Sequence, residues 1–254
     1  MLIAMLSDIH ANVRALDACL AHAKSIGVEK YAFLGDLVGY GAEPGAVVDR
    51  IMALAQDGAI VLKGNHDDLA CAMAPAGGDA SQSIDEAAAV WTRQQLSAEH
   101  KQFLSGLPMT AQTGECLLVH ASADAPEKWR YVDDARSAGV SLDAGAGHSG
   151  VRHVFGGHVH HQTLYFRGTG RDLMPFKPTP GVAIPLSRPR HWIATIGSVG
   201  QPRDGNQRAM YAVFDTAQSR LAFFRIAYDH VAAAAAIRAA GQPVYFAQRL
   251  EDGH

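Results

Sequence analysis

The sequence is poor in cysteine, in net charge and in long apolar segments, and each shortage excludes a class of protein. Its three cysteines, Cys19, Cys71 and Cys116, form no C-x-x-C pair, so neither a thiolate zinc site nor a disulfide framework is expected, and a reducing cytoplasm is the predicted compartment. Lysine and arginine number 22 against 25 acidic residues, for a net charge of −3, which predicts no extended surface for nucleic acid. No apolar run reaches the roughly 18 residues of a membrane-spanning helix.

The length and composition indicate one folded domain. The chain has 254 residues, of which 48% are hydrophobic and 19% charged; these values suit a sizeable core and exclude a disordered, collagen-like or coiled-coil chain. The apolar segment at residues 2–6 is short, lacks a basic flank and runs into Ser7 and Asp8, so it is predicted to be a buried strand rather than a signal peptide. We predict a single domain over residues 1–254, with a proline-rich insertion at about 168–190.

Strands and helices alternate in the first part of the chain. Apolar runs at Leu2–Leu6, Tyr31–Leu34 and Ala59–Leu62 alternate with helical patterns that begin near Val13 and Pro44, and this order predicts a mostly parallel sheet with right-handed crossovers. The later part of the chain is richer in strands. The further predicted elements are helices at about Asp85–Leu96, Ala98–Leu104 and His230–Ala240, the last in the chain, and strands at Glu115–Val119, Val151–Phe155, Gln162–Phe166, His191–Ile196, Ala209–Asp215 and Leu221–Ala227.

Two segments are predicted to be loops. Residues 74–83 hold one proline and two glycines, and residues 168–189 hold five prolines. Such a composition is typical of a surface excursion. For the second segment, a lid, an oligomer contact and a plain insertion are all open, and a homo-oligomer is one of the expected assemblies.

Ligand-type side chains follow five of the predicted strands. They are Asp8 with His10, Asp36, Asn65 with His66 and Asp67, His120, and His158 with His160. In open α/β sheets, ligands bind in the crevice beyond the carboxyl ends of the strands, so these side chains are expected to converge there. Asp, His and Asn without Cys favour Mn, Fe, Zn or Mg over copper or an iron–sulfur cluster.

The number and spacing of these residues favour two metal ions over one. Seven donors are too many for one tetrahedral ion, and they suit a pair of ions about 3.5–4 Å apart that share a bridging carboxylate. Asp8 and His10 are two residues apart, as are His158 and His160. If these segments are extended, both side chains of each pair point to the same face.

Five sequence blocks occur in order over residues 8–160. They are Asp8-x-His10, Gly35-Asp36-x-x-Gly39, Gly64-Asn65-His66-Asp67, His120 and Gly157-His158-x-His160. Together they resemble the calcineurin-like metallophosphoesterase family. Residues 36–44 and 197–205 further resemble a bacterial phosphodiesterase-like subgroup, often labelled diadenosine tetraphosphatase-like, which extends the resemblance to nearly the full length. Protein serine/threonine phosphatases of that superfamily carry Asp and Arg where this chain has Gly39 and Tyr40, which argues against a protein phosphatase.

The resemblance implies a fold and a site. The fold is α/β (α+β), a four-layer α/β/β/α sandwich of two packed mixed sheets flanked by helices. The implied metal ligands are Asp8, His10, Asp36 and His160 for one ion and Asp36, Asn65, His120 and His158 for the other, with Asp36 as the bridge. His66 is then the histidine that faces the leaving group without binding metal, and the adjacent Asp67 is its candidate catalytic neighbour.

The expected activity is hydrolysis of phosphate esters by a hydroxide that bridges two divalent ions, because metal-bound water can have a pKa of about 7. Manganese is the expected metal because the donors mix oxygen and nitrogen; Fe, Zn, Ni, Co and Mg stay open. The expected partner is a small phosphorylated substrate, with a nucleotide among the candidates. A phosphomonoester, a phosphodiester and a dinucleoside polyphosphate all fit such a centre.

Gln201 and Arg203 lie just past the predicted strand that ends at Ile196 and are the candidate substrate-binding residues. A guanidinium at this edge can pair with phosphate oxygens; the structural alternative is that Arg203 pairs with Asp204 or another carboxylate to hold the turn. Two other functions are open: a catalytically silent metal-binding scaffold of the same fold, and a dinuclear hydrolase of non-phosphate substrates such as an amidase.

Overall fold

The computed structural model describes residues 1–72, 83–167, 173–187 and 190–254, and within them the strands form two six-stranded sheets. The strands are β1 (Leu2–Leu6), β2 (Lys30–Phe33), β3 (Ile60–Val61), β4 (Thr110–Thr113), β5 (Cys116–Val119), β6 (His153–Gly156), β7 (Gln162–Arg167), β8 (Leu173–Phe176), β9 (Ala183–Pro185), β10 (Trp192–Ile196), β11 (Ala209–Asp215) and β12 (Arg220–Ile226). The helices are α1 (Val13–Ser25), α2 (Pro44–Gln56), α3 (Asn65–Cys71), α4 (Ile84–Gln95), α5 (Ala98–Ser105), α6 (Ala135–Ala146), α7 (His230–Ala239) and α8 (Val244–Asp252). None of these helices combines the length and the apolar character needed to cross a bilayer.

Both sheets mix parallel and antiparallel neighbours. Sheet I has the order β3-β2-β1-β11-β12-β9, and β1, β2 and β3 are parallel, as predicted for the first part of the chain. Sheet II has the order β4-β5-β6-β10-β7-β8, and its parallel strands are β5, β6 and β10. The remaining neighbours in each sheet pair antiparallel.

Alternation along the strands builds the layers. In β1, Ile3 and Met5 belong to the apolar core between the two sheets, whereas Ala4 packs in the core that sheet I forms with its helices, because successive side chains of a strand point to opposite faces. Sheet II repeats this pattern: Leu118 faces sheet I, and Leu117 packs in the core under α6. The layers therefore run helix, sheet, sheet, helix, and the expected α/β/β/α sandwich is confirmed.

The structure corrects the prediction in several places. It adds helices α3, α6 and α8 and strands β4, β8 and β9 to the predicted elements, so α7 is not the last helix. The loop predicted at 168–189 is wrong for two segments, because β8 lies at the edge of sheet II and β9 at the edge of sheet I. Proline is tolerated on edge strands, where a backbone donor is not needed. Residues 168–172 and 188–189 lie outside the described residues, as do residues 74–82 of the other predicted loop.

The turns after the parallel strands of the two sheets are hydrogen-bonded to each other. Within sheet I, the amide of Asp8 donates to the Gly35 carbonyl at 3.0 Å. Between the sheets, the amide of His158 donates to Oδ2 of Asp8 at 2.9 Å, and Nδ1 of His120 donates to the Leu34 carbonyl at 2.8 Å. The carboxyl edges of the two sheets therefore meet, and the predicted ligands lie at this junction.

Candidate metal centre

The backbone turns sharply at five of the predicted ligands. The φ angles are 54° at Asp8, 48° at His10, 51° at Asp36, 67° at His158 and 58° at His160, all in the left-handed region that residues other than glycine rarely adopt. The extended geometry expected for the two-residue spacings is therefore wrong, because left-handed turns and not strand alternation aim these side chains. Strain of this kind persists where the surrounding structure imposes it, and it clusters at functional sites.

Three buried side chains, Asp8, His10 and His160, form the first group of donors. One ligand atom of each lies within 4.8 Å of the others. Nε2 of His160 is 3.2 Å from Oδ1 of Asp8 and 3.2 Å from Nε2 of His10. Asp8 and His10 follow β1 of sheet I, and His160 follows β6 of sheet II, so the group exists only because the two sheets pack together.

The second group contains Asp36, His120 and His158, again all buried and within 4.8 Å of one another. Nε2 of His120 lies 3.4 Å from Oδ2 of Asp36 and 3.1 Å from Oδ1 of Asn65. The same Oδ2 of Asp36 lies 3.8 Å from Nε2 of His10 in the first group. The structure thus brings all seven predicted ligand residues together, with one carboxylate oxygen of Asp36 between the two groups.

Main-chain carbonyls orient three of the histidine rings. Nδ1 of His10 donates to the Val38 carbonyl at 3.2 Å. Nδ1 of His120 donates to the Leu34 carbonyl at 2.8 Å, and Nδ1 of His160 donates to the Gln201 carbonyl at 2.6 Å. A proton held at Nδ1 leaves the Nε2 lone pair free, and such a hydrogen bond is the usual support of a metal-binding histidine. All three Nε2 atoms point into the site.

Several of these donor atoms lack a favourable partner in the described part of the protein, and a bound metal ion would supply one. Nε2 of His10 and Nε2 of His160 face each other at 3.2 Å while both Nδ1 atoms are engaged by carbonyls, an arrangement that brings two lone pairs together. Nε2 of His158 is buried and has no hydrogen-bond partner within the described ranges, which is costly unless something binds it. A cation bound in each group would satisfy these atoms.

The two carboxylates are held in their charged form. Burial opposes ionisation of Asp8, but attraction to His160, the hydrogen bond with it and attraction to His120 together lower the pKa of Asp8 below its usual range. Burial likewise opposes ionisation of Asp36, and attraction to His120 lowers the pKa of Asp36 well below its usual range. Charged carboxylates are the state that metal binding requires.

The histidines divide into neutral and protonated rings. Burial lowers the pKa of His10 well below its ordinary value and lowers that of His158 to about 4, so both are neutral at pH 7. His120 differs: burial opposes its charge, but Asp36 raises its pKa to about 9. A metal ion bound there replaces this proton, since a ligand must be deprotonated to bind.

His66 lies beside the first group without joining it. It lies in the first turn of α3, and its ring centroid is 5.1 Å from that of His10 and 4.4 Å from that of Tyr40. Gly39 makes room for it: a Cβ atom at this position would lie 3.0 Å from Nδ1 of His66. A side chain at residue 39 would therefore require the ring of His66 to shift by a few tenths of an ångström.

Asp67 is bound by main-chain amides. Its Oδ1 accepts from the amides of Leu37 and Val38 at 2.9 and 3.2 Å, and its Oδ2 accepts from the amide of Gly64 at 2.9 Å. Burial raises the pKa of Asp67 to about 7. The carboxylate therefore ties the turn after β2 to the turn after β3, and among the described hydrogen bonds none joins it to the ring of His66.

Gln201 and Arg203 occupy the same edge of the fold. Gln201 is buried, its Oε1 accepts from Nη2 of Arg203 at 2.9 Å and its amide donates to Oγ of Ser198 at 2.8 Å. Asp204 pairs with Arg225, and Arg203 donates to the neutral side chain of Gln201, so within the described residues the structure does not contain the alternative in which Asp204 or another carboxylate holds Arg203.

Aromatic side chains cover the second group. The ring of Tyr131 stacks on His158 with centroids 4.2 Å apart and an angle of 27° between planes, and Trp129 meets His120 edge-on at 5.8 Å. Tyr131 is 53% exposed, so its ring is open to a ligand. No motif marks Tyr131 in the sequence, because it lies in an irregular segment between β5 and α6.

Comparison with known proteins agrees with this geometry. The sequence model described as the calcineurin-like phosphoesterase superfamily domain matches residues 1–219. The uncharacterized protein MJ0912 of Methanocaldococcus jannaschii is 30% identical over 245 residues, which are 90% of this chain and 88% of that protein. A metallophosphoesterase from Sphaerobacter thermophilus superposes with a TM-score of 0.87 at 35% identity, over 100% of this chain and 99% of that one. The hypothetical protein PH1004 of Pyrococcus horikoshii OT3 shares the fold, with a TM-score of 0.77 at 20% identity over 100% and 98% of the two chains.

Proposed function

The chain belongs to the calcineurin-like phosphoesterase superfamily, and from this premise we propose that it hydrolyses a small phosphorylated substrate with two divalent ions held by the two donor groups. Membership makes it a metal-dependent hydrolase of phosphoesters. The observation that carries the assignment to these residues is the pair of Nε2 atoms of His10 and His160, 3.2 Å apart, beside a carboxylate oxygen of Asp36 that reaches both groups.

The proposed ligands follow from the two groups. Asp8, His10 and His160 hold one ion, Asn65, His120 and His158 hold the other, and Asp36 binds both. Two such ions, when bound, supply a nucleophile at neutral pH and neutralise the charge on the phosphoryl oxygens. Manganese is the proposed metal because the donor set mixes nitrogen and oxygen, and the cytoplasm is the proposed compartment.

His66 is proposed to donate a proton to the oxygen of the leaving group. Its ring lies next to His10 and Tyr40, within reach of a substrate bound at the first group, and it belongs to neither group of donors. A positioned general acid accelerates a reaction by about 10²–10⁴-fold. Because Asp67 is bound by the amides of Leu37, Val38 and Gly64, its proposed role is to position the turns that carry Asp36 and His66.

Arg203 is proposed to bind the substrate, and Gln201 to position Arg203. Gln201 is buried, and its side-chain oxygen already accepts from Arg203. Its carbonyl also orients His160, so the same residue connects the first donor group to the candidate substrate-binding arginine.

A metal and substrate panel on stripped protein tests this function. Metal is removed, its loss is verified by elemental analysis, and Mn, Co, Ni, Mg or Zn is added back before assays with aryl phosphate monoesters, aryl phosphate diesters and diadenosine tetraphosphate. We expect no turnover without metal, recovery with a divalent transition metal and the highest rate with Mn. Full turnover in the metal-free protein would contradict the proposal, and metal binding without turnover of any ester would favour the silent scaffold.

A further inference from the structure

Helix α8 brings a second arginine next to Arg203. Nη2 of Arg203 and Nη1 of Arg249 donate to the same acceptor, Oε1 of Gln201, at 2.9 and 3.1 Å. The carbonyl of Gln201 accepts from Nδ1 of His160 at 2.6 Å. Both guanidinium groups therefore meet at a residue that directly contacts the first donor group. Arg249 lies beyond residues 1–219, which the superfamily model matches.

The two guanidinium groups share a neutral acceptor and form no ion pair with a carboxylate in the described part of the chain. The Nε atoms of Arg203 and Arg249 are both buried there without a hydrogen-bond partner. Arg225, by contrast, pairs with Asp204, the residue next to Arg203. Two cations that meet at one amide oxygen repel each other, and an anion placed between them removes that repulsion with charge-assisted hydrogen bonds.

Aromatic rings hold both guanidinium groups in place. Cζ of Arg203 lies 5.9 Å from the ring centroid of Tyr40, and Cζ of Arg249 lies 4.4 Å from that of Tyr245. A guanidinium within about 6 Å of a ring centroid is attracted to the face of the ring, which restricts where the guanidinium lies. The ring of Tyr40 is also 4.4 Å from that of His66, so the arginine pair lies on the side of the site where the leaving group is expected.

We propose that Arg203 and Arg249 form a second anion subsite, which binds a phosphate carried by the leaving group of the substrate. This inference rests on the proposed function and narrows its substrate class. The preferred substrate is a phosphoester or phosphoanhydride whose leaving group bears a further phosphate, as in nucleoside and dinucleoside polyphosphates. The fork of each guanidinium matches two phosphate oxygens, and Gln201 holds the two forks together until the phosphate arrives.

Binding of two non-hydrolysable probes to the full-length, metal-loaded protein tests the subsite. Methylphosphonate has one phosphorus centre and methylenediphosphonate has two, and calorimetry gives the affinity for each. We expect wild-type protein to bind the diphosphonate more tightly. We expect Arg249→Ala to weaken diphosphonate binding by about ten-fold or more, as the loss of a charge-assisted hydrogen bond implies, and to weaken methylphosphonate binding much less.

Arg238→Ala is the matched control, because Arg238 lies on the neighbouring helix α7 and pairs with Glu251. It removes the same charge without touching the proposed subsite, so both affinities should stay at the wild-type values. Arg249→Lys keeps the charge but loses the fork, and it should give an intermediate affinity for the diphosphonate. If Arg249→Ala melts at a much lower temperature than wild type, Arg249→Lys replaces it in the test.

The outcomes separate the subsite from the proposed function. Equal changes for both probes, or none for either, in Arg249→Ala would overturn the subsite. If the loaded wild-type protein hydrolyses phosphoesters while Arg249→Ala leaves the KM ratio of diadenosine tetraphosphate to p-nitrophenyl phosphate unchanged, the subsite fails and the function stands. If no phosphoester is hydrolysed but the diphosphonate affinity falls as expected, the function fails and the anion site stands.

Discussion

The two ends of β6 carry buried histidines in opposite surroundings. His153 opens the strand between the sheets, with the rings of Phe155 and Phe214 at 6.0 and 5.4 Å, and neither of its ring nitrogens has a hydrogen-bond partner among the described residues. His158 follows the carboxyl end of the strand, and its Nε2 also lacks such a partner. His158, however, lies in a donor group that Asp36 completes.

This difference shows what makes a buried histidine a metal ligand. Burial and an unpartnered nitrogen are common to both residues, and leaving a buried polar atom unpaired costs about 1–3 kcal/mol in either place. Among the described residues, both groups of donors from different strands lie at the carboxyl edge, because the parallel strands of both sheets end there. At that edge a cation can offset the cost, whereas His153, packed among aromatic rings, belongs to neither group of donors found among the described residues.

Asp36→Asn should have the largest effect, because it removes the donor that connects the two groups. One carboxylate oxygen of Asp36 lies near both His10 and His120, so both ions should bind more weakly. The affinity for each should fall by more than about 100-fold, since the loss of an outer-shell partner alone costs about 10–100-fold. Elemental analysis after dialysis measures the loss.

His153→Phe is the control for this change, because it alters a buried side chain at the end of β6 that lies away from the carboxyl edge. Its metal content should match wild type. Two ions per chain with unchanged affinity in Asp36→Asn would show that Asp36 does not bridge the groups, and a loss of metal in His153→Phe would remove the distinction between the two ends of β6.

His66→Ala tests a histidine that lies at the carboxyl edge without being a ligand. We expect kcat to fall by about 10²–10⁴-fold for substrates with alkoxide leaving groups, the range of general acid catalysis, while metal content stays near wild type. The loss should be much smaller for nitrophenyl esters, because nitrophenolate departs without a proton. Equal losses for the two classes of leaving group would assign His66 to positioning instead.

The donors at the carboxyl edge could be predicted from the sequence, but the hydrogen bonds that orient them could not. Asp8, Asp36 and His120 follow apolar runs, and the order of these runs along the chain places the three side chains at one edge. The donor residues could therefore be predicted from the sequence. The carbonyls of Leu34 and Gln201 that orient the rings are main-chain atoms, and no residue type in the sequence identifies them.

Two of the three helices that the sequence did not predict, α6 and α8, have a physical explanation in their glycines and prolines. Helix α6 contains Gly139 and Gly145, which lower its helix propensity, yet a Cβ atom at Gly145 would lie 2.4 Å from Cγ2 of Val154. The glycine that obscured the helix therefore allows it to approach sheet II. Helix α8 follows Gly241 and Pro243, which indicate a stop, although Pro243 serves as the residue before its first turn. Arg249 was missed with it.

His153, at the start of β6, should make the free energy of unfolding depend on pH in acid. Burial lowers the pKa of His153 to about 4 from an ordinary value of 6.5, so the unfolded chain binds this proton more readily than the folded one. The stabilisation is present above pH 6.5 and is lost as the pH falls from 6.5 to 4. At 1.36 kcal/mol per pKa unit the loss approaches about 3 kcal/mol at pH 4.

His153→Phe should therefore flatten the fall of the free energy of unfolding between pH 6.5 and 4, measured by denaturant titration of metal-free protein. Phenylalanine suits the aromatic surroundings and carries no proton. His161→Phe is the matched control, because it makes the same substitution at an exposed histidine of the carboxyl edge, outside the aromatic surroundings of His153. A slope in His153→Phe as steep as in wild type would assign the acid sensitivity to the carboxyl edge alone.

The smallest expected effect is the change in kcat when a methyl group is added at Gly39, beside His66 at the carboxyl edge. Gly39 and Gly58 have nearly the same left-handed backbone, with φ of 89° and 91°, but a Cβ at Gly39 would lie 3.0 Å from Nδ1 of His66, while one at Gly58 would meet nothing within 4 Å. Alanine at either position should cost about 1–2 kcal/mol of stability. Only Gly39→Ala should also lower kcat on alkyl esters, with metal content unchanged, because only there must the His66 ring shift. Equal kcat in the two variants would show that the position of His66 tolerates the added methyl group, and the edge would then depend on its metal ligands alone.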